Sequence, residues 1–311
     1  MTPMSPLMDR RSVMRGIALL PVALAAASCR STGEPRARLA AGEPGGFFWE
    51  FSGLLAAAAG RSNIATLEPL QSGGSIENLQ MLRFGRADLA MSLGDIAQDL
   101  AVADDLTAIG RVYENYFQVA VRSDSPVTTP EQLAGRVVSI GAPGSGATTL
   151  STRVLDIVGI SAQTRRVEQS MHSAAAQLAA GEVDAAMWAG GLPTPAFADV
   201  AADIRLLDLG AVVATLRQRY GTIYEPVSVP ANVYGSHPAV TTVGVANLLL
   251  ARRDVPDPLV AGMVDVLLDD PASLVPAQAI GSQFLDAQSL IQTGTIPLHP
   301  GAAAEYRRRH G

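Results

Sequence analysis

The 311-residue sequence predicts an α/β protein with two similarly built lobes joined by two crossing strands. Three observations carry this. Strand–loop–helix units recur along the chain, the pattern of a mostly parallel sheet covered by helices. Gly85-Arg86-Ala87-Asp88-Leu89-Ala90-Met91-Ser92 is echoed by Gly181-Glu182-Val183-Asp184-Ala185-Ala186-Met187-Trp188, each placing Gly-x-x-Asp and small apolar residues after a helix. Two apolar strands, residues 116–122 and 243–251, have similar lengths and arginine at or beside their ends. Such a pair can take the chain out to a second lobe and back.

The elements follow in order. Arg10, Arg11 and Arg15 precede an apolar run over residues 16–27. About a dozen residues are too few to span a bilayer as a helix, so residues 1–28 read as an export signal. Residues 9–15 fit a twin-arginine signal with Val13 at the usual Phe position, and equally a plain basic leader. Ala26-Ala27-Ser28-Cys29 resembles a bacterial lipobox, with Ala26 where leucine is usual. Cys29 is therefore the lipidation candidate; cleavage after Ala27 would instead leave it an unmodified thiol. Residues 29–38 read as a tether, 39–118 with 245–311 as the first lobe, and 119–244 as the second.

A first strand ends at Leu39-Ala40-Ala41, and Gly42-Glu43-Pro44-Gly45-Gly46 turns into a helix over residues 47–59. A strand at 64–67, a loop at 71–75, a helix at 76–84 with Ser75 as N-cap and a strand at 87–91 complete the pattern. Later come a turn and short helix over 125–133, a strand over 136–140, a helix over 169–180, and helices over 257–309 broken by an extended stretch at 293–300.

Composition sets bounds. A net charge of −6 argues against nucleic acid and anionic membrane surfaces as partners. One cysteine excludes a disulfide framework, and four scattered histidines offer no zinc spacing, so neither a metal nor a cofactor is expected.

The most informative stretch is Gly141-Ala142-Pro143-Gly144-Ser145-Gly146-Ala147-Thr148-Thr149. It follows the strand ending at Ile140 and opens a helix whose apolar positions are Leu150, Val154, Leu155 and Val158. Helix-start N–H groups have no partner inside the helix, and the macrodipole adds partial positive charge. A strand, glycine turn and helix start thus make an anion cradle, or else a plain tight turn. Ala147 after Gly146 lacks the Lys-Ser/Thr of a P-loop, which argues against nucleotide hydrolysis.

Together these pieces resemble the TAXI group of TRAP-transporter solute-binding proteins. The carriers are Gly73-Gly74-Ser75-Ile76-Glu77-Asn78-Leu79, the two Gly-x-x-Asp segments, Leu133-Ala134-Gly135-Arg136-Val137-Val138-Ser139, Gly144-Ser145-Gly146, Gly190-Gly191-Leu192-Pro193-Thr194-Pro195-Ala196 and Ile296-Pro297-Leu298-His299-Pro300-Gly301-Ala302-Ala303. The resemblance implies a type II periplasmic-binding-protein fold, a small carboxylate ligand of the glutamate or 2-oxoglutarate kind, and delivery to an ion-driven TRAP permease. It implies an exported monomer at the outer face of the cytoplasmic membrane, held there if Cys29 is lipidated. Phe47-Phe48-Trp49 and Gly94 depart from the group's usual residues, so the ligand can differ too.

Ligands in open α/β sheets bind beyond the carboxyl ends of the strands. That rule selects Gly46, Phe47, Ser75, Asn78, Ser92 and Asp95 in the first lobe, and Ser145, Gly146, Ala147, Thr148, Trp188 and Gly190 in the second. Ser145, Ala147 and Thr148 are expected to take the carboxylate through backbone N–H groups and a hydroxyl. Each other role has a structural counterpart: helix cap for Ser75, Thr148 and Asp95, loop bridge for Asn78, core for Phe47 and Trp188. Arg111, Arg122 and Arg153 are charged candidates without an assigned role. The alternatives are a receptor for an ABC importer, a ligand sensor, or an enzyme on the same scaffold; the last lacks a cleft histidine and is not expected.

Overall fold

The computed structural model describes residues 35–101, 106–199, 203–276 and 285–310. The expected export signal and Cys29 lie outside these.

The first half contains β1 (Arg36–Ala40), α1 (Phe47–Arg61), β2 (Thr66–Leu70), α2 (Ser75–Arg83), β3 (Leu89–Leu93), α3 (Gly94–Ala101) and β4 (Leu106–Arg122). The middle contains β5 (Val137–Ser139), α4 (Gly146–Ile157), β6 (Arg165–Val167), α5 (Met171–Ala180), β7 (Ala185–Gly190), α6 (Pro195–Ala198), β8 (Ile204–Leu206), α7 (Gly210–Tyr220) and β9 (Tyr224–Val229). The chain closes with β10 (Val240–Arg252), α8 (Asp257–Asp269), α9 (Ala287–Leu290) and α10 (Pro300–His310).

The described strands join in the order β2-β1-β3-β10-β4-β7-β5-β6, with β8 on β4 and β9 on β10. The parallel groups β2-β1-β3 and β7-β5-β6 lie on opposite flanks of the antiparallel pair β4 and β10. Arg36–Arg38 pair with Thr66–Glu68, so the tether expected over 29–38 yields to strand from Arg36 onward. The crossing strands are longer than the sequence suggested: β4 has 17 residues and β10 has 13. Their register slips where Val112 and Ile109 are left without a partner, a bulge each time.

The echoed Gly-x-x-Asp segments lock the start of each parallel group. Asp88 accepts from the Arg38 N–H at 2.9 Å and from the Arg38 guanidinium, while Asp184 accepts from the Val137 N–H at 2.8 Å and pairs with Arg136. In return the Asp88 and Asp184 N–H groups donate to Arg38 and Val137 carbonyls. Burial would raise the Asp88 pKa, but its bonds to Arg38 outweigh that and hold it low. Gly85 and Gly181 stand ahead of each lock at φ of 65° and 73°, where glycine leaves a helix without strain.

Packing follows the periodicity. Phe47, Phe51, Leu55, Ala58 and Ala59 make the buried stripe of α1, which meets Leu259, Val260, Met263 and Leu267 of α8 beneath β1 and β3. All five residues of β3 are buried, as a strand covered on both faces requires. A second core runs from α2 to α4 and α7, and a third gathers Trp188, Phe197 and Tyr234 around α5 and α6. No helix among the described residues is long and apolar enough to cross a membrane.

Candidate functional site

The carboxyl ends of the parallel strands from both flanks converge on one cavity. Its walls are Phe47, Phe48, Leu93, Met171, Met187 and Trp188, and its polar lining is Glu43, Ser75, Asn115, Gln169 and the loop from Gly141 to Ala147. The space open to the centre of a water-sized sphere is about 70 Å³. One water needs about 10–15 Å³ on that measure, so the cavity suits a molecule of a few heavy atoms.

The expected glycine turn and helix start after Ile140 are present. Gly141 and Gly144 take φ of 108° and 76°, the left-handed region in which a side chain is strained. Ser145 caps α4: its Oγ accepts from the Thr148 N–H at 3.2 Å. Thr148 Oγ1 donates its one proton to the Ala142 carbonyl at 2.8 Å, so in the 3.1 Å contact between the two hydroxyls Ser145 must donate. Both hydroxyl protons are thereby consumed, which corrects the expectation that one of them reaches a ligand. The N–H groups of Gly146 and Ala147 open α4 without a protein acceptor among the described residues, and both residues line the cavity.

Ser75 faces the cradle from the other flank. Its Oγ accepts from the Leu93 N–H at 3.0 Å, which leaves its proton free to donate. The loops also touch each other across the cleft: the Ile76 and Glu77 N–H groups donate to the Gly144 carbonyl at 3.1 and 3.3 Å. One helix terminus is thus capped by the opposite loop, and that of α4 stays open to the cavity.

Of the residues expected to line the cleft, Gly46, Phe47, Ser75, Ser145, Gly146, Ala147 and Trp188 do. Phe47 also packs on Tyr113 with ring centroids 3.9 Å apart. Trp188 gives its N–H to Thr194 at 2.9 Å and stacks on Phe197 at 3.6 Å, so it supports the wall as well as forming it.

Five residues stand elsewhere. Asn78 is fully buried on the inner face of α2, where it bonds to Ser72 and donates to the Met91 carbonyl at 2.8 Å. Asn78→Ala leaves that carbonyl unpaired and is expected to cost about 2 kcal/mol in urea unfolding, with ligand-induced stabilisation retained. Ser92 is buried within β3 and donates to the Leu93 carbonyl. Thr148 is used in the cap described above. Gly190 lines a smaller hollow with Gly45, Gly191 and Pro195.

Asp95 points away, into a buried cluster. Its Oδ2 accepts from Tyr224 at 2.7 Å and Arg153 at 3.3 Å, and its Oδ1 accepts from the Ile96 N–H. Arg153 also bonds Asp99 and Tyr224 and lies 4.3 Å over the Tyr220 ring. Burial raises the Asp95 pKa against the opposing pull of Tyr224 and Arg153. Arg111 pairs with Glu114 and Arg122 with Asp124, so none of the three arginine candidates lines the cavity.

Sequence reasoning left Asn115, Gln169 and Met171 unassigned. Gln169 and Met171 follow β6, a three-residue strand with two exposed arginines that shows no apolar pattern. Away from the cavity, Ser123 and Asp203 both contact His237 Nε2 at 3.3 Å; sharing one nitrogen, they form no relay.

A family model described as the NMT1-like family matches residues 39–308. The chain belongs to the NMT1-like family. A protein of Bordetella bronchiseptica RB50 is similar in structure, with a TM-score of 0.59 at 14% identity over 89% of this chain and 98% of its own. XAC2383 of Xanthomonas citri, solved with chloride bound, gives a TM-score of 0.50 at 15% identity over 89% and 99%. The periplasmic aliphatic sulphonate binding protein SsuA of Escherichia coli gives 0.43 at 17% identity over 89% and 84%. The NMT1-like chain shares the mixed α/β fold of the Bordetella bronchiseptica protein over most of both chains.

Proposed function

We propose that this NMT1-like protein is an extracytoplasmic solute receptor that holds a small anion, a carboxylate first of all, in the cleft and passes it on unchanged. The observation that carries this is the pair of N–H groups at Gly146 and Ala147, without an acceptor among the described residues, at the positive end of α4 on the wall of the cavity. Two such bonds and the Ser75 hydroxyl, at about 1.5–3 kcal/mol per charged bond, supply much of the ~8 kcal/mol that micromolar binding requires. The proposed lobes are residues 39–118 with 245–311, and 119–244, so that closing brings the Ser75 and Ser145 loops together around the ligand.

The recipient is the membrane part of an ABC importer or, as the TAXI-like motifs favour, a TRAP permease. An adjacent gene for an ATPase decides for the first, one for a multi-helix TRAP permease for the second. Lipid anchoring through Cys29 remains part of the proposal, tested by the intact mass of membrane-extracted protein.

Native mass spectrometry of purified protein is expected to reveal a bound small anion. Adding it back to stripped protein should raise Tm with no chemical change in the anion. Turnover of the anion, or a stripped protein indifferent to every small anion tried, rejects the receptor reading.

A further inference from the structure

The cleft is not electrostatically one-sided, and its second pole narrows the ligand class. Glu43 lines the cavity and is its only charged lining residue among those described. The carboxylate has one weak internal donor, the Met171 N–H at 3.4 Å. No arginine among the described residues lines the cavity to balance it. The nearby His172 favours its ionised form, while burial, the larger effect, pushes its pKa up.

Two further groups want partners. Asn115 is 3% exposed, lines the cavity, and its Oδ1 accepts no hydrogen bond. Gln169 Nε2 is likewise buried without an acceptor. A buried polar group left unmatched is costly, so in a filled site both are expected to meet complementary atoms.

A second carboxylate on the ligand would find the remaining helix ends either occupied or beside Glu43. Of the other helix ends lining the cavity, that of α2 is occupied by the Gly144 carbonyl, that of α5 gives its Met171 N–H to Glu43, and that of α1, at Gly46 and Phe47, adjoins Glu43. A dianion would instead confront Glu43.

Building on the receptor reading, we infer that the ligand is a small zwitterion: one anionic group held by the Gly146 and Ala147 amides, and one protonated amine held by Glu43. Asn115 Oδ1 is a second acceptor for the amine, and Gln169 Nε2 a second donor for the anionic end. Dicarboxylates such as 2-oxoglutarate, expected from the motif resemblance, fit this arrangement less well. A keto acid also offers no donor to Glu43.

The test is a matched set on stripped wild-type protein, read as Tm shift and by calorimetry: 2-, 3- and 4-aminobutanoate against butanoate and succinate. At least one amino member is expected to bind about tenfold or more tighter than butanoate, the worth of one charge-assisted bond, with succinate weakest. Glu43→Gln is expected to erase the difference, bringing that member within about threefold of butanoate, and Glu43→Asp to restore part of it. Circular dichroism checks that the variants fold; the wild-type comparison does not depend on them. Butanoate or succinate binding as tightly as every amino member overturns the amine pole and leaves the anion reading standing. An unchanged preference in a folded Glu43→Gln protein also overturns it. No shift from any carboxylate overturns the anion reading and this inference together.

Discussion

A Gly146→Val protein is expected to fold and to lose ligand-dependent stabilisation. A Cβ at residue 146 would lie 2.5 Å from Leu93 Cδ1 and 3.0 Å from Ser75 Oγ, both on the far side of the cleft. The added side chain therefore wedges the Ser75 and Ser145 loops apart as well as crowding the amides. Overpacking of this kind costs about 1–3 kcal/mol, which at the upper end is roughly 100-fold in affinity. Isothermal titration with any anion that raises the wild-type Tm measures it, and circular dichroism verifies the fold. Because the clash is across the cleft, the unliganded variant should keep its urea midpoint. Wild-type affinity in this variant would remove the cradle from the binding reaction.

The second large effect belongs to Arg153. Its side chain is 13% exposed and that of Asp95 1%, so Arg153→Met leaves a buried carboxylate without its cation. Breaking such a pair typically costs about 3–5 kcal/mol, far above the value of a surface pair. Asp95 already has a raised pKa in the folded protein, chiefly through burial. A carboxyl group with a raised folded pKa holds its proton longer folded than unfolded, so its contribution to stability is present below the unfolded value of 3.8 and is lost as pH rises through the folded pKa. Removing the arginine raises that pKa further. The deficit of Arg153→Met should accordingly be larger at pH 8 than at pH 5. Urea unfolding at both values checks this; a deficit independent of pH would mean that Asp95 is not the group left unpaired.

The outline of the molecule was readable where residue type and geometry coincide. Gly141, Gly144 and Ser145 announced the cradle because glycine conformations and a helix cap are local properties. The Gly-x-x-Asp echo announced a repeated architecture, although its physical role, an aspartate locking the neighbouring strand, emerges only when Arg38 and Val137 are alongside. Residues 106–115 did not read as strand because Gly110, Arg111, Glu114 and Asn115 interrupt the apolar run. Their burial depends on pairing with β10, which is remote in sequence. Bulges at Ile109 and Val112 further break the alternation by which a strand is recognised. The Asp95 prediction failed for the same non-local reason. Its placement after β3 satisfied the strand-end rule, but Tyr224 and Arg153, far along the chain, draw its carboxylate into a separate cluster.

The Gly144 carbonyl has a consequence for how a solute is captured. Any outward swing that separates the facing loops must strip the Ile76 and Glu77 amides of their acceptor. The open form would then display the freed end of α2 at its entrance, beside the ends of α4 and α1 that already face the cavity. On the proposed receptor reading, attraction of an incoming anion would be strongest before docking and would weaken as the jaws meet, because closing itself neutralises part of the field.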